Sequence, residues 1–255
     1  MKITFLGTGT SMGVPTLGCE CPVCVSTDAR NKRTRASLLV SVRDQNIVID
    51  TATDFRMQAL RENLKRLDAV LYTHSHADHI LGLDDLRPFS FFQKYHIPCF
   101  GNESTLAGVC EMFRYVFTEP QPGGSIPRIE PKVIDGFFEF RGVPVQPIPV
   151  IHGKIPVLGY RIGSMAYITD LSEIPEDSYR LLGGLSVLIL GVLRYKPHPT
   201  HLTFEEALRI VRRLEPDQTF YTHISHDFDH ERTGAELPPG VFLAYDGLSL
   251  ELNEP

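Results

Sequence analysis

Three imidazoles and one carboxylate fall within six residues of the run Leu71-Tyr72-Thr73-His74-Ser75-His76-Ala77-Asp78-His79. Leu71 to Thr73 reads as the end of a β-strand. Alternate residues of an extended chain share a face, so His74 and His76 point the same way. A turn into a helix behind them aims Asp78 and His79 from its first turn into neighbouring space. Imidazole nitrogen and carboxylate oxygen are the donors that borderline divalent cations take up, and two adjacent groups of donors suit two adjacent ions. A solvated, His-rich turn would account for a lone histidine. It does not account for a spaced quartet behind an apolar strand.

A second cluster is Cys19-x-Cys21-x-x-Cys24, which holds three of the five cysteines. An odd, crowded set in a chain whose N-terminus reads as a strand and turn, not as a signal peptide, argues for metal over a disulfide framework. The location this reading predicts is the cytoplasm. A closed structural zinc site wants a fourth ligand. His226 and, in the polar stretch 227–231, His230 are the candidates. Cys99 and Cys110 are expected to be reduced, packed residues. A third group lies in the stretch 194–203, where His198 and His201 precede a helix start. A helix N-terminus suits phosphate, and Arg194 or Lys196 could add charge-assisted contacts.

The elements that must position these groups follow from hydrophobic periodicity. Strands are predicted at Ile3–Leu6, Ser37–Val42, Asn46–Asp50, Ala69–Thr73, Val143–Val150, Leu158–Ile162, Ala166–Thr169, Val187–Leu190 and Thr219–Thr222. Phe242–Tyr245 and Leu248–Leu252 read as a closing hairpin. Phe204, Ala207, Leu208, Val211 and Leu214 form a helical stripe, and Thr203 with Glu206 has capping-box spacing. Arg56–Leu67 and Glu103–Phe117 are further helices. The Pro/Gly-rich segment Glu119–Lys132 reads as a surface loop, an inert connection or a lid. Strands and helices interleave with no linker between them, which predicts one α/β (α+β) domain over residues 1–255. No apolar run reaches membrane-spanning length. The net charge of −6 disfavours a nucleic-acid partner.

His74-x-His76-x-Asp78-His79, followed by Ile80-Leu81-Gly82-Leu83, matches the H-x-H-x-D-H signature of the metallo-β-lactamase superfamily. Later strand ends at Val150-Ile151-His152-Gly153, Tyr167-Ile168-Thr169-Asp170 and Phe220-Tyr221-Thr222-His223 complete a pattern that resembles this superfamily along the whole chain. The resemblance implies a four-layer αββα sandwich with two catalytic divalent ions, Zn or Mn. It implies that His74, His76 and His152 hold one ion, that Asp78, His79 and His223 hold the other, and that Asp170 bridges them. Asp50, ending an earlier strand, would order the site loop by hydrogen bonds.

The cysteine insert after the first strand and the Thr222-His223-x-Ser225-His226 ending narrow the resemblance to the phosphoribosyl cyclic phosphodiesterases of phosphonate catabolism, often called PhnP. These resemble the tRNA-processing nuclease RNase Z without its long substrate-gripping arm. The implied function is hydrolysis of a small cyclic or linear phosphodiester, with Asp78 and Asp170 at the reacting centre. His201, in the H-x-T setting of the nuclease relatives, would be the general acid, with His198 as the alternative. One structural zinc would sit on the cysteines. A homodimer is compatible with the family. The pyrroloquinoline quinone biosynthesis protein B group carries a similar cysteine cluster. A cofactor-biosynthesis, lactonase or thioesterase activity on the same cage is therefore the competing expectation.

Overall fold

Fourteen strands build two mixed sheets among the described residues, which in this computed structural model are 1–118 and 125–255. The first sheet holds β1 (Lys2–Gly7), β2 (Ser37–Val42), β3 (Gln45–Ile49), β4 (Ala69–Leu71), β5 (Ile97–Gly101), β6 (Ile129–Val133) and β14 (Ser249–Glu251), in the order β14-β1-β2-β3-β4-β5-β6. The second holds β7 (Phe138–Phe140), β8 (Val143–His152), β9 (Ile155–Ile162), β10 (Met165–Ile168), β11 (Val187–Gly191), β12 (Gln218–Thr222) and β13 (Val241–Leu243), in the order β13-β12-β11-β10-β9-β8-β7. Strand alternation decides which residues fill the space between the sheets. Ile3, Phe5, Leu38, Ile47 and Leu71 face Val145, Tyr160, Tyr167, Ile189 and Phe220 in one buried cluster.

The opposite faces are apolar too, because each sheet is covered by helices on its outside. Phe55 and Ala59 from α2 (Phe55–Arg61), and Leu106 and Val109 from α5 (Glu103–Met112), cover Leu6, Val48 and Val70. Phe204, Ala207, Leu208 and Ile210 from α7 (Phe204–Leu214) cover Leu188, Leu190 and Tyr221. The layers are thus αββα, as the sequence resemblance implies. Thr203 caps the start of α7 through a capping box with Glu206, as its spacing predicts.

Four expectations are corrected. β13 and β14 do not form a hairpin: β13 pairs with β12 and β14 with β1, so the two strands belong to different sheets. The helix predicted over Arg56–Leu67 ends at Arg61, where Asn63 turns the chain at positive φ. The helix over Glu103–Phe117 stops at Met112 and continues as a 3₁₀ turn at Arg114–Val116. The expected loop Glu119–Lys132 begins outside the described residues, and its far end is strand β6, an edge strand whose Pro131 costs no ladder bond.

Candidate metal centre

Each sheet is parallel in one half, and the site lies where those parallel strands end. β3, β4 and β5 run parallel in the first sheet, and β10, β11, β12 and β13 in the second. The crevice outside the carboxyl ends of such strands is where an α/β sheet collects side chains. Asp50 follows β3, His74 follows β4, Asp170 follows β10 and His223 follows β12, while His152 closes β8. The register of β10, β11 and β12 brings Asp170 and His223 to a common rim. That approach needs Gly191, because a Cβ there would lie 3.0 Å from the Asp170 amide. α3 (Ala77–Ile80) presents Asp78 and His79 from a first turn, as the local spacing predicts.

All seven residues of the expected cage converge. The donor atoms of His74, His76, His152 and Asp170 lie within 4.8 Å of one another, and so do those of Asp78, His79, Asp170 and His223. Asp170 belongs to both sets. Its Oδ2 is 3.8 Å from His74 Nε2 and 3.9 Å from His152 Nε2. Its Oδ1 is 3.5 Å from His79 Nε2 and 3.1 Å from His223 Nε2. Ligands bonded at ~2.1 Å to one ion lie at most about 4.2 Å apart, and the four separations between Asp170 and the histidines, 3.1 to 3.9 Å, fall inside that limit.

Hydrogen bonds behind the cluster choose which nitrogen of each ring faces it. Buried Asp50 accepts from the Thr73 amide (2.8 Å), the Thr73 hydroxyl (2.8 Å) and His79 Nδ1–H (2.7 Å). With its proton given to Asp50, the Thr73 hydroxyl is left to accept from His74 Nδ1–H at 3.0 Å. His152 Nδ1–H donates to the Thr200 carbonyl at 2.7 Å. Three histidines therefore turn an Nε2 lone pair towards Asp170, the outer-layer arrangement that orients metal-binding imidazoles. Asp50 orders the site and does not sit in either donor set, as the sequence resemblance implies.

The buried His79 Nε2 has no hydrogen-bond partner among the described residues. Its lone pair points between two carboxylates, Asp78 at 3.3 Å and Asp170 at 3.5 Å. Such an arrangement is repulsive unless a cation lies between them. Without a metal that cation is a proton: burial would lower the His79 pKa, but Asp170, Asp78 and Asp50 together hold it well above the ordinary value. Asp170 stays ionised in spite of its burial, held far below the usual range by His223, His79 and His74. The residues present thus fit a pair of divalent ions.

Backbone strain gathers at the same rim. Asp50, Asp170 and His223 adopt φ of 62°, 47° and 54°, a left-handed conformation that L-residues rarely take and that costs energy to hold. Beside His223 the next residue is tied on both sides. Ile224 N–H donates to the Thr8 carbonyl, and Thr10 N–H donates to the Ile224 carbonyl.

The cysteine cluster closes on His226 and not on His230. His226 Nδ1 lies 3.3, 3.7 and 3.3 Å from the sulfurs of Cys19, Cys21 and Cys24, a complete four-donor set. His230 instead sits beside the buried Arg33 guanidinium at 3.1 Å. Burial pushes the Cys24 thiol up to about 11. Cys99 and Cys110 are free thiols, as expected. Asp84 stays at the surface, bound to Arg87 and Tyr115.

His201 packs beside the cluster, edge-on to His152 with ring centroids 4.6 Å apart and stacked on His223 at 5.2 Å. His198 is one ring further out, 5.1 Å from His201. Arg194 spends its donors on the carbonyls of Lys196 and Pro197, which shapes the loop. Sequence reasoning missed Thr73 and Thr200 as ring-orienting groups. Thr200 acts through its main-chain carbonyl, for which a side-chain pattern carries no signal.

The family model for the beta-lactamase superfamily domain matches residues 45–224, more than half of the chain. The chain belongs to the metallo-β-lactamase superfamily. Among solved structures, this superfamily member is similar to a diphosphatase of the PhnP family, with 46% identity and a TM-score of 0.93 over 99% of this chain and 98% of that one. It is 37% identical to an octanoyltransferase of Porphyromonas gingivalis (strain ATCC BAA-308 / W83), over 100% of this chain and 52% of that protein. It is 33% identical to a coenzyme PQQ synthesis protein B of Methylobacterium nodulans, over 74% of this chain and 72% of that protein. The chain thus spans about half the length of the octanoyltransferase it matches. Both donor sets are of the kind that holds divalent ions. No helix among the described residues is long and apolar enough to cross a membrane.

Proposed function

We propose that this protein is a dinuclear metal-dependent hydrolase of small phosphoric diesters, cyclic or linear. The observation that carries the reading is Asp170, one carboxylate shared between two donor sets with the His201 ring packed against a histidine of each. His74, His76, His152 and Asp170 would hold one ion, Zn or Mn, and Asp78, His79, His223 and Asp170 would hold the other. When bound, the pair supplies a water of lowered pKa and neutralises charge on a phosphoryl oxygen. Cys19, Cys21, Cys24 and His226 hold a structural zinc, a closed set that leaves no position for substrate.

The chain's own residues then have separable tasks. Asp50 keeps His79 and, through Thr73, His74 in the tautomers that face the ions. Asp170 and Asp78 fix the reacting centre. His201 serves the leaving oxygen. Burial, with His223, His152 and His198 close by, lowers its pKa to about 3 against the pull of Asp170. The free protein therefore carries His201 neutral. Its role as an acid requires a proton gained together with the anionic substrate, whose charge raises the ring's basicity.

A second reading shares this geometry. The 46% identical relative is described as a diphosphatase, which favours a phosphoanhydride as the bond broken. Octanoyl transfer is not carried over, since this chain matches half of that protein. Metal-loaded protein is expected to cleave bis-p-nitrophenyl phosphate and alkyl diesters. His201→Ala should lower kcat about 10²- to 10⁴-fold where an alkoxide leaves and must be protonated, and far less on the nitrophenyl ester, whose phenolate departs as an anion. A diphosphate diester assayed alongside separates the two substrates. No turnover of either with Zn or Mn ends the phosphoryl reading, and turnover of lactones or thioesters replaces it.

A further inference from the structure

Thr200 makes three hydrogen bonds that set the state of two histidines on either side of His201. Its carbonyl accepts from His152 Nδ1–H at 2.7 Å. Its amide and its hydroxyl both approach His198 Nδ1, at 3.3 and 3.1 Å. An amide N–H can only donate, so His198 Nδ1 is the acceptor and carries no proton. The neutral ring must then bear its hydrogen on Nε2. That nitrogen makes no hydrogen bond among the described residues, and His198 is partly exposed beside His201. The loop is pinned where this happens. Gly153 packs so tightly on Thr200 that a Cβ would meet its methyl at 2.7 Å.

We propose that His198 is a substrate-contacting residue, donating Nε2–H to a phosphoryl oxygen beside His201, and that Thr200 is the positioning residue that locks it in the donating tautomer. This rests on the phosphohydrolase reading. The division of labour is geometric: with Nδ1 occupied by the Thr200 amide, His198 offers one fixed N–H to the anion and leaves proton delivery to His201. Burial, Arg194 and His152 hold the His198 pKa below its ordinary value, which favours the neutral ring in the free protein.

The test uses full-length, metal-loaded protein with two readouts. His198→Phe keeps an aromatic ring and removes the donor. His198→Gln restores an N–H at the Nε2 distance. Expected are a fall of about 10- to 100-fold in kcat/KM on bis-p-nitrophenyl phosphate, and a similar loss in calorimetric affinity for inorganic phosphate, in the Phe variant. The Gln variant should lie within about threefold of wild type, with metal content unchanged in both. Thr200→Val should show part of the loss, and Thr200→Ser should recover it. The proposal is overturned by wild-type phosphate affinity in His198→Phe, by failure of Gln to rescue, or by wild-type protein that binds no phosphate. Phosphate binding that depends on His198 without turnover of any diester would instead sink the proposed activity and leave this assignment standing.

Discussion

Asp50→Asn is the perturbation whose consequences follow most directly from the geometry. Asn is nearly isosteric with Asp and tolerates the positive φ found here, so the backbone is not disturbed. The wild-type carboxylate receives three donors and gives none: Oδ1 takes the Thr73 amide, while Oδ2 takes the Thr73 hydroxyl and His79 Nδ1–H. An amide has one acceptor atom. If its oxygen keeps the Thr73 N–H, its NH₂ faces the Thr73 hydroxyl and His79 Nδ1. His79 must then move its proton to Nε2, the atom 3.3 Å from Asp78 and 3.5 Å from Asp170. The Thr73 hydroxyl, no longer donating to Asp50, is free to donate to His74 Nδ1 and push that proton to Nε2 as well. One substitution thus blocks a lone pair in each donor set. Loss of such an outer-layer partner costs about 10- to 100-fold in metal affinity, or roughly 1.4–2.7 kcal/mol, for each ion. Chelator-competition titration with elemental analysis is the assay. Dialysed wild type should retain about three ions per chain and the variant about one, at the cysteines, whose donors lie apart from Asp50. Two catalytic ions retained with affinities within twofold of wild type would refute the reasoning.

Two further outcomes are expected. His226→Ala removes the only nitrogen of the four-donor set formed with Cys19, Cys21 and Cys24. It should release one zinc per chain and lower Tm by about 5–10 °C, the shift expected if a site ~100-fold above its Kd contributes 2.7 kcal/mol; unchanged zinc content would contradict the assignment. The metal-free and metal-loaded proteins should also differ in pH dependence. In the metal-free protein the His79 pKa is raised, so its contribution is complete below the unfolded value of ~6.5 and is lost as pH rises through the folded value. Asp170 is depressed, so its contribution is complete above ~3.8 and lost as pH falls. Denaturation midpoints in EDTA should therefore decline on the alkaline side as well as at low pH. With metal they should hold on the alkaline side and decline only on the acid side, because protons compete for the imidazoles. Parallel profiles with and without EDTA would count against cation replacement at His79.

Local spacing in the sequence already determined the core of the site. His74, His76, Asp78 and His79 are close in space because they are close in the chain, and a strand that turns into a helix can hold them in few ways. The layer structure was legible for the same reason, since period-two strands and the 204–214 stripe report which faces are buried. The strand-end residues His152, Asp170 and His223 were legible by order and resemblance. Their convergence is a product of parallel register between strands far apart in sequence. Only the tertiary structure chose His226 over His230, because closure across more than two hundred residues depends on where two loops meet. It alone showed that Asp50 governs His79 and His74, and that a main-chain carbonyl at Thr200 aligns His152. It also separated β13 from β14, whose apolar runs look like one hairpin. A sequence records which groups are available. Which nitrogen of an imidazole is protonated, and which strand an edge segment pairs with, depend on neighbours that only folding supplies.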